Sequence, residues 1–504
     1  MTKNIKIEDL TQKINGTLYG NNDYKSLEGF TGSFTTLNSA KKGDIVIRHK
    51  INGKGVEIAN KKNVACIITL HPLDDCLELA DKLKYPIIVV NKIEEANAYA
   101  IKWTVENFAP NTKRVVVTGT NGKSTTTHMV YHILKNTGAK VFTNTDARSE
   151  FNTLIDPMVP KLLVQSYNEQ KGLDYLVVEV SEVQGWEDYF MKNHAYLMSK
   201  AINQDVSVVT NVAMDHIGLV HDVEEVKEET EGLIKSLTHG TAVLNYDDER
   251  VRIMDETVKE DCNIFYLTMN PDKLENIKTT NKINKLSYSD EKEAIIYEDK
   301  IFLKLDELPF QSHHFIQNTL SAIASTISLN IPLEQIKEGV KSYKPLKRRF
   351  VTLNEKPLII DDFAHNPEGI KATIQSAFKT ANKKNLKTLW FINAIRGSRG
   401  LTLNKLIAEA LSDVINNLQE EDKIPINLIL SCSEDEVDHN NTVTPQERKI
   451  FEDELNKKNT EYVIYDKLID ALTDTVEFST TDDLILLIGA QGMDPAEELL
   501  KKIL

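Results

Sequence analysis

The chain has 504 residues, 41% hydrophobic and 7% aromatic, and a formal net charge of -15 at pH 7. That length suits about three domains with substantial cores. The acidic balance excludes a general nucleic-acid binder, because no broad basic stripe is present to neutralise phosphates. No stretch approaches the ~18 uninterrupted apolar residues of a membrane helix, so membrane insertion is not expected. The opening MTKNIKIEDL lacks the apolar core of a signal segment, which predicts a cytoplasmic protein. Cys66, Cys76, Cys262 and Cys432 are scattered without a CxxC pair, against both a disulfide framework and a cysteine zinc site.

In chain order, residues 1–110 alternate apolar runs (DIVIR at 44–48, ACIITL at 65–70, PIIVVN at 86–91) with stretches of helical spacing such as DDCLELADKL. They predict a small α/β domain ending at Ala109-Pro110-Asn111-Thr112. A central domain over 111–345 carries YLVVEV (175–180), VSVVTNV (206–212) and TAVLNYD (241–247). Such Val/Ile/Leu runs separated by helices predict a doubly wound parallel sheet. AIIYEDKIFLKL reads as a hairpin turned at Glu298-Asp299-Lys300, followed by a helix from about Ile316 to Leu329, with His313-His314 as the turn before it. A third α/β domain over 346–504 is marked by PLIIDDF (357–363), TLWFINAI (388–395), NLILSC (427–432) and DLILLIGA (483–490).

The most informative segment is RVVVTGTNGKSTTTH, residues 114–128: a β-branched run, a turn with two glycines, then the start of a helix. Gly119 and Gly122 lack Cβ, so the amides of Gly119, Thr120, Asn121 and Gly122 can close around phosphate oxygens at the positive end of that helix. Lys123 supplies a charge for the outer phosphates of ATP, and Ser124 or Thr125 a hydroxyl for Mg2+. Val117 occupies the place of the first glycine in the general phosphate-loop pattern, so this is the shorter form GTNGKS after a strand.

Unusual polar residues fall at other strand ends, where open parallel sheets bind ligands. Glu179 interrupts YLVVEV. Asn211, Asp215 and His216 follow VSVVT. Asp361, Asp362, His365 and Asn366 follow PLII, and Gln491 and Asp494 follow LILLI. A carboxylate in an apolar strand is costly unless it is paired or meets a cation, which makes Glu179 a Mg2+ candidate beside the Ser124 or Thr125 hydroxyl. His216, beside Asp215, is read as a metal or phosphate group. Neither a GxSxG elbow nor a GxGxxG fingerprint is present.

GTNGKST, EVSE, TNVAMDH, the Asn of HHFIQN and DDFAHNP stand in the order found in the Mur ligases, and the chain resembles that family over nearly its whole length. GSFTTLNSAKKGDIVIR resembles the UDP-binding first domain of the MurE/MurF branch. The Lys/Asn/Ile-rich composition points within the family to the archaeal pseudomurein peptide ligases. The resemblance implies a UDP-binding domain, a central ATPase domain and a Rossmann-like C-terminal domain that contacts amino acid and nucleotide. It implies an ATP-dependent ligase joining a free amino acid to a UDP-linked sugar-peptide through an acyl phosphate, acting as a monomer. The alternatives are another amide ligase on this scaffold (cyanophycin, polyglutamate or methanogen-coenzyme type) and a nucleotide-switch ATPase.

Carried over by position, Lys123 and the Gly119–Gly122 loop hold the β- and γ-phosphates, and Ser124 one Mg2+. Glu179 and His216 bind a second Mg2+. Asn318 faces the adenine, and Arg349 and Asp362 reach the nucleotide, with His365 and Asn366 in the same loop. Arg396 and Arg399, in the turn after TLWFINAI, hold the incoming amino acid's carboxylate or the transferring phosphate, and His216 or His365 is open as the base. Departures from the family bear on four points. His314-Phe315 replaces a family HN pair, and Arg348 replaces the glycine before the arginine. Where many members carry a carbamylated lysine, this chain has Thr230 flanked by Glu228, Glu229 and Glu231, so Glu231 is expected to serve the metal, with Lys227 as the fallback. The DNPR motif is absent, which disfavours diaminopimelate as the incoming amino acid.

Overall fold

The structure, a computed structural model, describes residues 5–20, 30, 33–145, 156–186, 189–215, 218–275, 277, 279–309, 312–398, 400–422, 424–439 and 441–504, without the side chains of 421 and 422. Two compact units divide it: Met1–Val212, Gly218–Gln311 and Phe315–Tyr343 form the first, and Ala213–Ile217, Ser312–His314 and Lys344–Leu504 the second.

The first unit contains a five-stranded sheet in the order Thr17–Tyr19, Ile87–Val89, Cys66–Pro72, Ile45–Ile51, Phe34–Thr35, parallel except at Thr17–Tyr19. It also contains a nine-stranded sheet. From one edge that sheet runs Val141–Thr143, Tyr175–Glu179, Lys113–Thr118, Val206–Val209, Thr241–Asn245, Asn263–Thr268 and Ile283–Ser289, all parallel. Ala294–Tyr297 and Lys300–Lys304 then close it as an antiparallel hairpin. The valine runs do not alternate with polar residues because both faces of the parallel strands are covered; Val115, Val117, Val130, Ile133 and Leu320 pack in one buried cluster. At the hairpin tip Glu298 and Asp299 have φ of 49° and 60°, the paired left-handed residues a two-residue turn requires.

The second unit is a six-stranded sheet in the order Val351–Glu355, Leu358–Asp362, Asp483–Ile488, Thr388–Ala394, Ile426–Ser431, Tyr462–Tyr465, parallel except for its first strand. Helices Pro367–Lys384, Leu401–Asp422 and Pro445–Lys457 bury one face; Leu468–Phe478 and Ala496–Ile503 bury the other. The two outer strands were not legible in the sequence, since VTLNE and YVIY are short and half exposed. The helix expected from Ile316 starts at His313, so His313 and His314 form its first turn rather than a preceding loop. Ser376 Oγ lies 3.2 Å from His314 Nδ1, and burial lowers the His314 pKa. Among the described residues no helix is long and apolar enough to cross a membrane.

On helix Lys123–Asn136 the His128 Nδ1 lies 3.2 Å from the Tyr343 hydroxyl, and burial, aided by the neighbouring charge of His132, pushes the His128 pKa down to about 4. A histidine depressed in the fold contributes stability above its unfolded pKa of about 6.5, and that contribution is lost as pH falls toward the folded value. The melting temperature is therefore expected to drop between pH 7 and pH 4.5, and less steeply in His128→Gln. Equal slopes in a calorimetric pH series would show that His128 charges freely in the native chain.

Candidate active site

Strand Lys113–Thr118 lies between Val206–Val209 and Tyr175–Glu179, with Thr118 opposite Val209 and Val117 opposite Glu179. This register sets the phosphate-loop sequence, Glu179 and Asn211 at one sheet edge. Gly119 and Gly122 have φ of 120° and 84°; a Cβ on Gly119 would stand 2.3 Å from Thr210 Oγ1, and one on Gly122 2.2 Å from Asn318 Oδ1. Only glycine fits either place. Asn211 clamps the loop: its carbonyl accepts the Thr120 amide at 2.9 Å, its Oδ1 the Asn121 amide at 2.9 Å, and its Nδ2 donates to the Asn121 carbonyl at 2.8 Å. Thr210 Oγ1 donates to the same carbonyl at 2.7 Å. Gly122 is the N-cap of helix Lys123–Asn136, with no side chain capping its first amides, which suits an anion there.

Lys123 Nζ lies 2.8 Å from Glu182 Oε2, whose side chain is 0% exposed, and donates to the Thr120 carbonyl at 3.0 Å. Glu179, also buried, accepts Ser124 Oγ at 3.2 Å on one carboxylate oxygen and Thr145 Oγ1 at 3.0 Å on the other. Asn144 pins its backbone from both sides, at 2.8 Å to the amide and 2.8 Å to the carbonyl. A carboxylate with two hydroxyls is a hard oxygen donor set that fits Mg2+ and lacks soft ligands. Among the described residues no group of three or more His, Cys, Asp and Glu converges as a metal site.

Of the residues singled out from the sequence, the structure brings together the Gly119–Gly122 loop, Lys123, Ser124, Thr125, Glu179 and Asn318 in the first unit. His216 and Arg399 lie outside the described residues. Glu231, on helix Val223–Ser236, is buried with its carboxylate 3.0 Å from Lys235 and 3.9 Å from Lys227; no hydrogen bond or ion pair among the described residues links it to Glu179 or Ser124.

In the second unit the adjacent arginines share one aromatic neighbour, Phe363. Arg348, in the left-handed region at φ 58°, lies 3.3 Å from Asp361, donates to the carbonyls of Ala490 (2.9 Å) and Gly489 (2.6 Å), and pairs with Asp494. Burial pushes the Asp361 carboxyl up to about 6 although Arg348 opposes the shift. Both guanidiniums lie over the Phe363 ring, that of Arg348 5.0 Å and that of Arg349 4.9 Å from its centroid. Asp362 Oδ1 accepts the Ala364 amide and Thr373 Oγ1, each at 2.9 Å. His365 Nε2 lies 3.7 Å from Asp215 Oδ2, and Asn366 Oδ1 caps helix Pro367–Lys384 through the Gly369 amide at 2.8 Å. The Arg396 carbonyl accepts Asn404 Nδ2 at 2.8 Å.

Sequence reasoning missed Glu182, Asn144, Thr145 and His194. The first three carried a signal, since each is a polar residue just past a short apolar strand. His194 gave none. Its Nε2 lies 3.0 Å from Asp156 Oδ1 and its Nδ1 3.0 Å from the Ser181 carbonyl, between Glu179 and Glu182 in sequence. Burial works against its charge, but Asp156, the Ser181 carbonyl and Glu229 together raise its pKa.

A glycine-turned strand-to-helix loop on a parallel sheet, with a partly buried lysine and a carboxylate–hydroxyl set beside it, is the arrangement that suits a nucleoside-triphosphate-binding α/β protein. Residues 117–326 match the Mur ligase middle domain. A UDP-N-acetylmuramate--L-alanine ligase of Hydrogenobaculum sp. is 24% identical over 75% of this chain and 73% of its own length. The chain has the multi-domain α/β fold of MurF from Acinetobacter baumannii, with a TM-score of 0.68 at 17% identity over 100% of this chain and 99% of that one. A pseudomurein peptide ligase type C from Methanothermus fervidus aligns at a TM-score of 0.58 and 21% identity, over 92% of this chain and 95% of that one.

Replacing Lys123 by Ala removes the cationic partner of a fully buried Glu182. The expected cost is about 3–5 kcal/mol of stability, together with loss of ATP binding. Adding Glu182→Gln restores stability and leaves binding lost. Denaturant melts and ATP calorimetry on the single and double variants check this; a single variant as stable as the native chain would show that Glu182 does not depend on Lys123.

Proposed function

We propose that the chain is an ATP-dependent amide ligase of the Mur type, adding an amino acid to a UDP-linked peptide of pseudomurein character. The observation that carries the reading is the Lys123 cradle set against Glu179, Ser124 and Thr145. Its division of labour is a UDP-substrate domain over 1–110, an ATP-binding domain over 111–345 and an amino-acid- and nucleotide-contacting domain over 346–504. The 24% identity to an enzyme named for a UDP-linked substrate, and the likeness in fold to a pseudomurein peptide ligase, support it.

A peptide carboxylate is a poor electrophile, since direct attack by an amine would have to expel oxide. Moving the γ-phosphoryl group of the ATP substrate onto it creates phosphate as a leaving group, and positioning and charge neutralisation dominate such a transfer. Lys123 and the uncapped first amides of helix Lys123–Asn136 hold the phosphates, whereas the Thr120 and Asn121 amides, expected from the sequence to do so, are taken up by Asn211. Asn318 packs against the loop where adenine recognition is assigned. Glu179, Ser124 and Thr145 would hold Mg2+, which screens the repulsion between carboxylate and triphosphate. Arg349 and Asp362 are assigned to the nucleotide, and Arg396 to the amino acid's carboxylate. His216 and Arg399 keep the roles the resemblance implies. Glu231, as the carboxylate beside Thr230 in place of a carbamylated lysine, serves the metal with a specific requirement: it must exchange Lys235 and Lys227 for the metal ion.

The test is phosphate release from Mg-ATP with UDP-linked glycopeptides, each amino acid supplied singly. Release is expected only with an acceptor and one amino acid together, and to vanish in Lys123→Ala. Release indifferent to both additions but abolished by that substitution would leave a plain ATPase.

A further inference from the structure

We propose that Trp186, backed by His49, is a stacking platform for the nucleobase of the acceptor, a uracil in the reading above, on which this inference rests. Trp186 is 54% exposed although it sits in a two-stranded ribbon, Gly185–Trp186 paired with Tyr189–Phe190. One face of its indole is covered by the His49 imidazole, with ring centroids 5.4 Å apart and planes within 16°. Tyr189, opposite Trp186 in the ribbon, meets His49 edge-on at 6.1 Å, and its hydroxyl donates to Glu94 at 2.8 Å. The ribbon is held on the five-stranded sheet by Met191, buried in one cluster with Ile45 and Ile47. Gly185 permits the close fit, because a Cβ there would stand 2.7 Å from Leu219. The indole is thus already stacked flat against His49, which lowers the ordering cost of placing a further ring on it.

Location narrows the ligand. His49 lies near the carboxyl end of strand Ile45–Ile51, the edge at which open α/β sheets take ligands, in the sheet assigned above to UDP. Trp186 is separated from Glu182 by only Val183, Gln184 and Gly185. The platform therefore belongs to the segment that leaves the phosphate-side carboxylates, beside the sheet of the other substrate. A parallel indole–imidazole pair is extended by a third flat aromatic ring, and the acceptor class named above carries one such ring, its uracil.

The full chain has three tryptophans, and Trp186 is the exposed one. UMP and UDP-N-acetylglucosamine are titrated against it while tryptophan emission and heat are followed, with ADP and N-acetylglucosamine 1-phosphate as separate probes. Saturable quenching by both uridine nucleotides is expected, absent in Trp186→Phe, with Trp186→Ala binding them roughly 5- to 100-fold more weakly and ADP unchanged. Where Trp186→Ala has lost ADP binding, Trp186→Phe decides, because it keeps a ring and loses only the reporter. Uridine nucleotides binding Trp186→Ala with native affinity, or a full emission change persisting in Trp186→Phe, overturn the platform and leave the ligase reading standing. Quenching by the sugar phosphate as strong as by UMP assigns the indole to the sugar and overturns the nucleobase. No uridine binding to the native chain overturns the platform and the UDP acceptor together.

Discussion

The candidate site depends on one constraint: two carboxylates stripped of water at the end of a single strand. Glu179 and Glu182 are both buried, three residues apart, and a charge without a partner in such a place is costly. Each is met from the strand-to-helix loop alongside, Glu182 by Lys123 and Glu179 by Ser124. The parallel register of Val117 with Glu179 makes those meetings possible, and Asn144 and Asn211 hold the two sides in place. Shifting that register by one residue would turn the carboxylates to the opposite face and strand the lysine.

The loop is tight as well as charged. With Asn318 standing where a side chain on Gly122 would be, helix His313–Ser328 and the loop share one packing surface. The uncapped amides at the start of helix Lys123–Asn136 are thereby fixed in place by the loop that Asn211 clamps, which is how preorganised donors gain strength. The second unit shows the same economy in Arg348, which meets carbonyls and carboxylates of its own unit while both it and Arg349 lie over the Phe363 ring.

What was legible in the sequence was local. Uninterrupted valine runs announce strands covered on both faces, and two glycines before Lys–Ser–Thr announce the cradle, because those signals need only neighbours in sequence. The pairing of Glu182 with Lys123, the clamp by Asn211 and the His194–Asp156 pair join residues tens of positions apart, so no spacing rule marks them. Thr145 and Asn144 escaped because the strand before them, Val141–Thr143, is only three residues long. Arg348 and Arg349 are indistinguishable by type; only the fold shows that both lie over Phe363 while Arg348 also reaches Asp361 and the Gly489 and Ala490 carbonyls. The start of helix His313–Ser328 was set too late because a histidine pair carries no strong helical preference, and burial of His314 against Ser376 decides it.

The interleaving of the two units bears on how the chain is made. The nine-stranded sheet is complete once Lys304 has been synthesised, whereas the second unit gathers Ala213–Ile217 and Ser312–His314 with strands that begin only at Val351 and end at Ile488. A growing chain therefore has the whole nine-stranded sheet available while short stretches of the later unit wait, already synthesised, for their companions. Assembly is directional: the nine-stranded sheet can mature first, and the second unit closes only when its last strand has been made.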